Sequence, residues 1–169
     1  MRDTAGMRAS PRKRTAGVAA ALDRTRARQV LALDNQLCFA LYAASRLVTQ
    51  AYRTHLDALG LTYAQYLVML VLWEADGPTV REIGDRLYLD SGTLTPLLKR
   101  LERLGLVRRT RRKDDEREVE TRLTAAGRRL ERRAAEVPLG VLCEAGLTLG
   151  DVVEVREPVR ALVKKLRRV

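Results

Sequence analysis

Apolar residues recur at helical spacing through most of this chain and give way to alternation in one short stretch. The pattern from Leu33 to about Ala58 predicts a helix with Asp34 as its N-cap. Thr62-Tyr63-Ala64-Gln65 is a capping box, in which a hydroxyl and a side chain three residues on satisfy free backbone N–H groups. The helix it opens, through Trp73, is apolar almost all round and so is expected to be buried. Gly77-Pro78 ends it. Thr79-Val80-Arg81-Glu82 is a second capping box, and Val80, Ile83 and Leu87 fall on one face of the helix behind it. Tyr88 to Ser91 forms a turn, and the following helix has Leu94, Leu97, Leu98, Leu101 and Leu104 as its buried stripe. Gly105 is placed to end that helix in the left-handed conformation. If Asp90 is the cap, Pro96 puts a missing N–H inside the helix, so either the first turn is distorted or the cap lies later. Residues 106–111 and 118–123 read as two strands, with Val119, Thr121 and Leu123 alternating onto one face. Thr124 caps a helix to about Glu136 that Pro138 and Gly140 break. A last helix, from about Leu149, presents Val152, Val155, Val159, Leu162, Val163 and Leu166, with a kink at Pro158.

This order predicts a mainly α fold with a small β-hairpin (α+β), a winged helix-turn-helix. The outer side of the 91–104 helix carries Ser91, Gly92, Thr93, Thr95 and Pro96, then Lys99, Arg100 and Arg103. Small hydroxyls followed by cations suit a helix that enters the major groove of operator DNA by its N-terminal end. Residues 111–117 form the tip of the hairpin. By itself a tip of mixed charge reads equally as a solvated turn. Behind a helix-turn-helix it reads as a DNA-contacting wing, with Arg117 entering the minor groove and Asp115 orienting it. Residues 78–123 are thus the DNA-reading unit. The flanking segments, 31–60 and 137–169, are free to form a homodimer, which matches a palindromic operator.

The formal net charge of +11 agrees with a nucleic-acid partner. Much of it lies in residues 1–30, which hold eight Lys/Arg against Asp3 and Asp23 and show no clean periodicity. They are expected to be a disordered basic arm ahead of a single domain, 31–169. The arm's apolar run, residues 17–22, is too short for a signal peptide and is closed by Asp23. The apolar run 66–73 is too short to cross a bilayer. A soluble, cytoplasmic protein without membrane contact is the expectation. Two cysteines and one histidine cannot supply an ordinary four-ligand zinc site. No Gly-rich phosphate loop or Ser/His/Asp set appears, so no metal, no cofactor and no enzymatic activity are expected.

The segments LDNQLCFALYAASR (33–46), LTYAQYLVMLVLWE (61–74), LYLDSGTLTPLLKRLE (87–102) and DDER (114–117) resemble the MarR family of regulators. More narrowly, they resemble its organic hydroperoxide-sensing repressors of the OhrR type. The resemblance covers about residues 31–168 and implies a dimer. A lone cysteine on an apolar helix usually packs, but Cys38 falls in the first turn of a helix, where the positive end of the dipole favours thiolate. Tyr42 lies one turn on, on the same face. The resemblance brings two further phenols, Tyr52 and Tyr63, onto the sensing cysteine across the dimer interface. It implies that an organic hydroperoxide oxidises Cys38 to a sulfenic acid, with Phe39, Leu41 and Trp73 as an apolar surround. In two-cysteine members the resolving cysteine lies where Cys143 does, which implies an intersubunit disulfide. Single-cysteine members use an external thiol instead, and a thiol reductant resets either form. Two other classes fit some of these features: a MarR-type repressor released by a phenolic or lipophilic ligand, with structural cysteines, and a thiol peroxidase.

Overall fold

A computed structural model describes residues 24–112 and 118–167. Helix α1 (Arg24–Leu31) is followed by a short 3-10 turn, Leu33–Asn35, and then by α2 (Leu37–Asp57), α3 (Tyr63–Glu74), α4 (Val80–Leu87) and α5 (Ser91–Arg103). Strands β1 (Val107–Arg111) and β2 (Val119–Leu123) form an antiparallel hairpin, with Arg109 opposite Thr121. Helices α6 (Ala125–Ala134), α7 (Glu136–Ala145) and α8 (Leu149–Leu166) complete the chain. It divides into two units, residues 1–47 and 48–169.

In the first unit, residues 24–30 of the segment expected to be a disordered arm are helical. The carbonyl of Gln29 accepts from the Ala32 N–H and from the Asn35 side-chain amide at 2.8 Å, which satisfies acceptors at the helix end. Asp34 does not cap α2. It lies inside the 3-10 turn, and the first N–H of the α2 ladder reaches back to the Gln36 carbonyl. The helix therefore starts later than the sequence suggests, which leaves Cys38 as its second residue.

The core lies in the second unit around α3. Both capping boxes form as the sequence predicts, Thr62 with Gln65 and Thr79 with Glu82. Val68, Met69 and Leu72 of α3 have no exposed surface, and α4, α5, α6 and β2 pack against that helix. Leu94, Leu98 and Leu101 of α5 are fully buried, whereas Leu104, at the end of the expected stripe, is 47% exposed. Asp90 is the N-cap of α5, its carboxylate accepting from the Thr93 N–H at 2.9 Å, and Pro96 lies inside the helix. The missing N–H of Pro96 leaves the Gly92 carbonyl without its ladder partner. Gly105 takes the left-handed conformation, φ +69°, just past the end of α5.

Pro138 and Gly140 do not break the chain; both lie within α7. Pro138 is the third residue of α7, where a missing N–H is tolerated because first-turn N–H groups have no intrahelical acceptor. Gly140 lies against the ring of His55, so close that a larger residue would force the ring to shift. Cys143 is accordingly helical. The loop between α7 and α8 is short because Gly146 turns left-handed, and Thr148 with Asp151 closes a third capping box. Helix α8 runs on through Pro158.

Gly127 of α6 is buried beneath the hairpin, and a Cβ there would stand 2.2 Å from the Leu106 carbonyl oxygen. Because the obstacle is backbone, Gly127→Ala is expected to cost about 1–3 kcal/mol, as overpacking of a core does, read as a lower urea midpoint with unchanged m-value.

Candidate nucleic-acid interface and thiol site

The reading surface follows from how α5 is anchored. With three leucines turned into the core, the opposite face of α5 must point outward. Ser91, Gly92, Thr93, Pro96, Lys99 and Arg100 are exposed, and Thr95 is half-buried. The Thr95 hydroxyl donates to the Ser91 carbonyl at 2.7 Å and the Thr93 hydroxyl donates to Asp90 at 2.9 Å, so both are held by the first turn. Gly92 is compact for a reason: a Cβ there would meet the capping carboxylate of Asp90 at 3.0 Å. Tyr88 takes the left-handed conformation between α4 and α5, φ 57°, and the Arg167 guanidinium stacks over its ring at 4.9 Å.

The hairpin is fastened at its base. Asp76 accepts from the Leu123 N–H at 2.7 Å and pairs with Arg128, while the Thr121 N–H reaches the Pro78 carbonyl. Glu102 of α5 holds Arg109 of β1 by three contacts, from the backbone N–H, Nε and Nη2, at 3.0, 2.9 and 2.6 Å. Sequence reading missed this clamp. Its signal, an acidic residue at the end of a cationic helix ahead of an arginine-rich strand, looks like ordinary surface charge. Asp115 and Arg117, the expected wing contacts, lie outside the described residues.

The thiol region divides between the two units. In the first, Cys38 is exposed and free in the first turn of α2. Tyr42, one turn on, is 57% exposed, and Arg46 both donates to its hydroxyl at 3.3 Å and lies over its ring. In the second unit, Tyr52 and Tyr63 meet edge to face at 5.3 Å, and Tyr52 is 5.9 Å from Tyr66. Burial is the main cause that pushes all three phenols up, Tyr66 to about 12. A phenol is neutral near pH 7 even at its ordinary value of 10.0, and burial moves ionisation of these three further from that range. Tyr66, almost wholly buried, was not singled out from sequence, although it follows Tyr63 by three residues on one helix. Trp73 continues the aromatic row and donates its indole N–H to the Gly127 carbonyl at 3.0 Å. Cys143 is exposed and free near the end of α7. Among the described residues no cluster of His, Cys, Asp or Glu is arranged to hold a metal ion, and no helix is long and apolar enough to cross a membrane.

Comparison with known proteins gives concordant matches. The MarR family profile matches residues 61–119, from α3 to the start of β2. The chain is 44% identical over 136 residues to the organic hydroperoxide resistance transcriptional regulator of Bacillus subtilis (strain 168), covering 80% of this chain and 92% of that protein. It is 56% identical over 119 residues to the HTH-type transcriptional regulator TtmR of Methylorubrum extorquens (strain PA1), covering 70% of this chain and 61% of that protein. Among solved structures, AbfR of Staphylococcus epidermidis is similar in several states. Reduced AbfR bound to DNA gives a TM-score of 0.72 at 36% identity, over 87% of this chain and 98% of that one. Disulfide-formed AbfR gives 0.57 at 36% identity, over 83% and 99%.

The Glu102 clamp has a pH signature. Hydrogen bonding from Arg109 holds the Glu102 carboxyl below its ordinary value of 4.5. A carboxylate favoured in the folded state contributes stability above its unfolded value and loses that contribution as pH falls through the lowered one. Urea denaturation of wild type and Glu102→Gln should therefore differ most at neutral pH, with the gap closing below about pH 4, near the unfolded glutamate value. Spectrophotometric titration offers a second check: three of the five tyrosines should ionise only above the ordinary value of 10.0.

Proposed function

This chain belongs to the MarR family and is a transcriptional regulator of the organic-hydroperoxide-resistance type; from that premise we propose that it represses by binding operator DNA when reduced and lets go when an organic hydroperoxide oxidises Cys38. The observation that carries the proposal is the position of Cys38, an exposed free thiol in the first turn of α2 with the Tyr42 phenol one turn on. At a helix start, an anionic sulfur is attended by the positive end of the dipole. Two comparisons support the same reading: a relative named for organic hydroperoxide resistance, and AbfR structures described as reduced on DNA and as disulfide-formed.

The DNA-binding side is α5, read through Ser91, Gly92, Thr93, Thr95, Pro96, Lys99 and Arg100, with Asp115 and Arg117 of the wing. Buried leucines fix the orientation of α5, so its hydroxyls and cations meet phosphates and base edges. Two copies of the chain bind together. Helix α8 has no buried residue, and Leu149, Val153, Val155 and Leu166 stand more than 45% exposed, as do Leu37, Tyr42 and Leu47 on α2. Apolar surface on this scale is what a dimer covers. Residues 31–60 and 137–169 are its dimerisation segments.

In the sensing step the Cys38 thiolate attacks the terminal oxygen of the hydroperoxide; an S–O bond forms, the O–O bond breaks, and the departing alkoxide takes a proton to leave as an alcohol. Tyr52 and Tyr63, as neutral phenols, donate hydrogen bonds to the sulfur or the peroxide across the dimer. The partner subunit's Cys143 then attacks the Cys38 sulfenic acid. A disulfide tolerates only a short Cα separation, so its formation displaces helices that set the spacing of the two winged units. Release derepresses an organic hydroperoxide resistance gene, and a thiol reductant restores binding. Each oxidation is a single event and not a turnover.

The test is binding of the reduced protein to duplex from its own upstream region, before and after one equivalent of an organic hydroperoxide, with reductant added last. Oxidation should weaken binding by about two orders of magnitude or more, toward the non-specific level, and reduction should restore it. Cys38→Ser should bind DNA and ignore the peroxide. If that variant is released like wild type, the thiol does not sense, and release by a phenolic or lipophilic ligand under full reduction becomes the reading to pursue.

A further inference from the structure

His55, the one histidine in the chain, takes no part in the reading surface or the phenol cluster. It lies near the end of α2, within the second unit, and its ring fills the space above Gly140 of α7. A Cβ on Gly140 would stand 2.5 Å from Cε1 and 2.9 Å from Nδ1. One turn further along α7, Glu144 brings Oε1 to 3.2 Å from Nε2. The carboxylate is in ion-pair range but off the line of an N–H···O bond, and Nε2 is buried without a hydrogen-bond partner. Gly140 and Glu144 are four residues apart and so share a face. Cys143 immediately precedes Glu144.

Other charged groups surround this contact. Glu136 from α7 and Arg133 from α6 line the same small cleft as His55, and Arg133 is engaged with the Ala58 carbonyl at 2.8 Å. On α2 itself, Arg53 and Asp57 pair with each other at 4.0 Å. The anionic group in direct range of the ring is therefore Glu144. A neutral imidazole holds α7 by packing on Gly140, and an imidazolium adds attraction to Glu144. The attraction to Glu144 is present only with the imidazolium, so this contact grips more tightly when the ring is protonated.

We propose that His55, Gly140 and Glu144 form a pH-dependent latch that holds α7, making His55 a positioning residue for Cys143. The role in disulfide formation rests on the thiol-switch reading given above. In that step the Cys143 thiolate attacks the sulfenic sulfur of Cys38. An S–S bond forms, the S–OH bond breaks, and the departing hydroxide takes a proton to become water; the oxidant was the organic hydroperoxide, already reduced to an alcohol. In this proposal Cys143 reaches the partner's sulfur by a movement of α7, and the protonated latch opposes that movement. Disulfide formation is therefore slower while the latch is protonated than after its release.

Full-length wild type, His55→Leu, His55→Gln and Glu144→Gln are compared by hydrogen–deuterium exchange of residues 136–145 from pH 5.5 to 8.5. Taking the ratio to wild type at each pH removes the intrinsic pH dependence of exchange. The latch predicts that wild-type protection exceeds that of each variant by about two- to fivefold more at the acid end than at the basic end, the range expected of a partly exposed ion pair. A ratio constant with pH overturns it, because a purely structural role shifts every pH alike. Glu144→Gln changes an exposed side chain and so keeps the test valid if a His55 variant folds poorly. The same proteins are then treated with an organic hydroperoxide, with Cys38 sulfenic acid and the disulfide followed separately by mass. Slower disulfide formation in wild type than in Glu144→Gln at pH 6, and equal rates at pH 8, support the positioning role. Equal rates at both pH values overturn that role. A pH-dependent exchange ratio with no sulfenic acid at Cys38 counts against the thiol-switch reading and leaves the latch standing.

Discussion

Burial of α3 is the constraint on which the rest of the second unit depends. Val68, Met69 and Leu72 lose all contact with solvent, and Tyr66 nearly all. Each such side chain contributes about 1.5–3 kcal/mol relative to exposure, an upper bound because denatured chains already shield part of this surface. A helix apolar on nearly every side cannot sit at an edge. It has to be enclosed, and α4, α5, α6 and β2 enclose it. The reading helix inherits its orientation from that enclosure. Leu94, Leu98 and Leu101 go inward, so Thr93, Lys99 and Arg100 have only the outward side.

Polar contacts then fasten the hairpin to this packed unit. Asp76 takes the Leu123 N–H and Arg128 at once, tying the end of β2 to the loop after α3. Glu102 ties β1 to α5. Both carboxylates are more than half shielded, with side chains 19% and 35% exposed, so these pairs are less screened than open surface pairs. Their value lies in geometry. A recognition helix and a wing read DNA together only if the angle between them is fixed, and these two clamps fix the hairpin base on either side.

The two thiols are placed differently. Cys38 and Cys143 are both exposed, one at the start of a helix and one near the end of another, and neither is part of the enclosed core. Reactive thiols need access to oxidant, whereas buried structural thiols are inert. The long exposed apolar faces of α2 and α8 belong with this arrangement. Neither face is part of the enclosed core around α3. The His55 contact on α7 lies between these regimes, with a half-shielded ring against an open carboxylate.

Capping boxes, the leucine stripe of α5, the alternation in β2 and the glycine after α5 were legible in the sequence because each is a local signal decided within about four residues. The class of fold followed from their order, and the family from the resemblance of four segments, 33–46, 61–74, 87–102 and 114–117. Local signals failed where a distant residue decided the outcome. Pro138 and Gly140 look like breakers. Yet the proline falls in a first turn, where its missing N–H costs no ladder bond, and the glycine makes room for His55, eighty-five positions away in sequence. Asp34 looks like a cap, but the 3-10 turn takes it up and the ladder of α2 starts from Gln36. Tyr66, Glu102 and Asp76 acquire their roles only from partners that the fold brings to them. Most elements, though not α1 and α7, and the residue types they carry could be read along the chain, because propensity, capping and periodicity act locally. The tertiary structure alone decided which phenols meet, which carboxylates clamp the hairpin and what lies beside Cys143, because those contacts depend on packing between segments far apart in sequence.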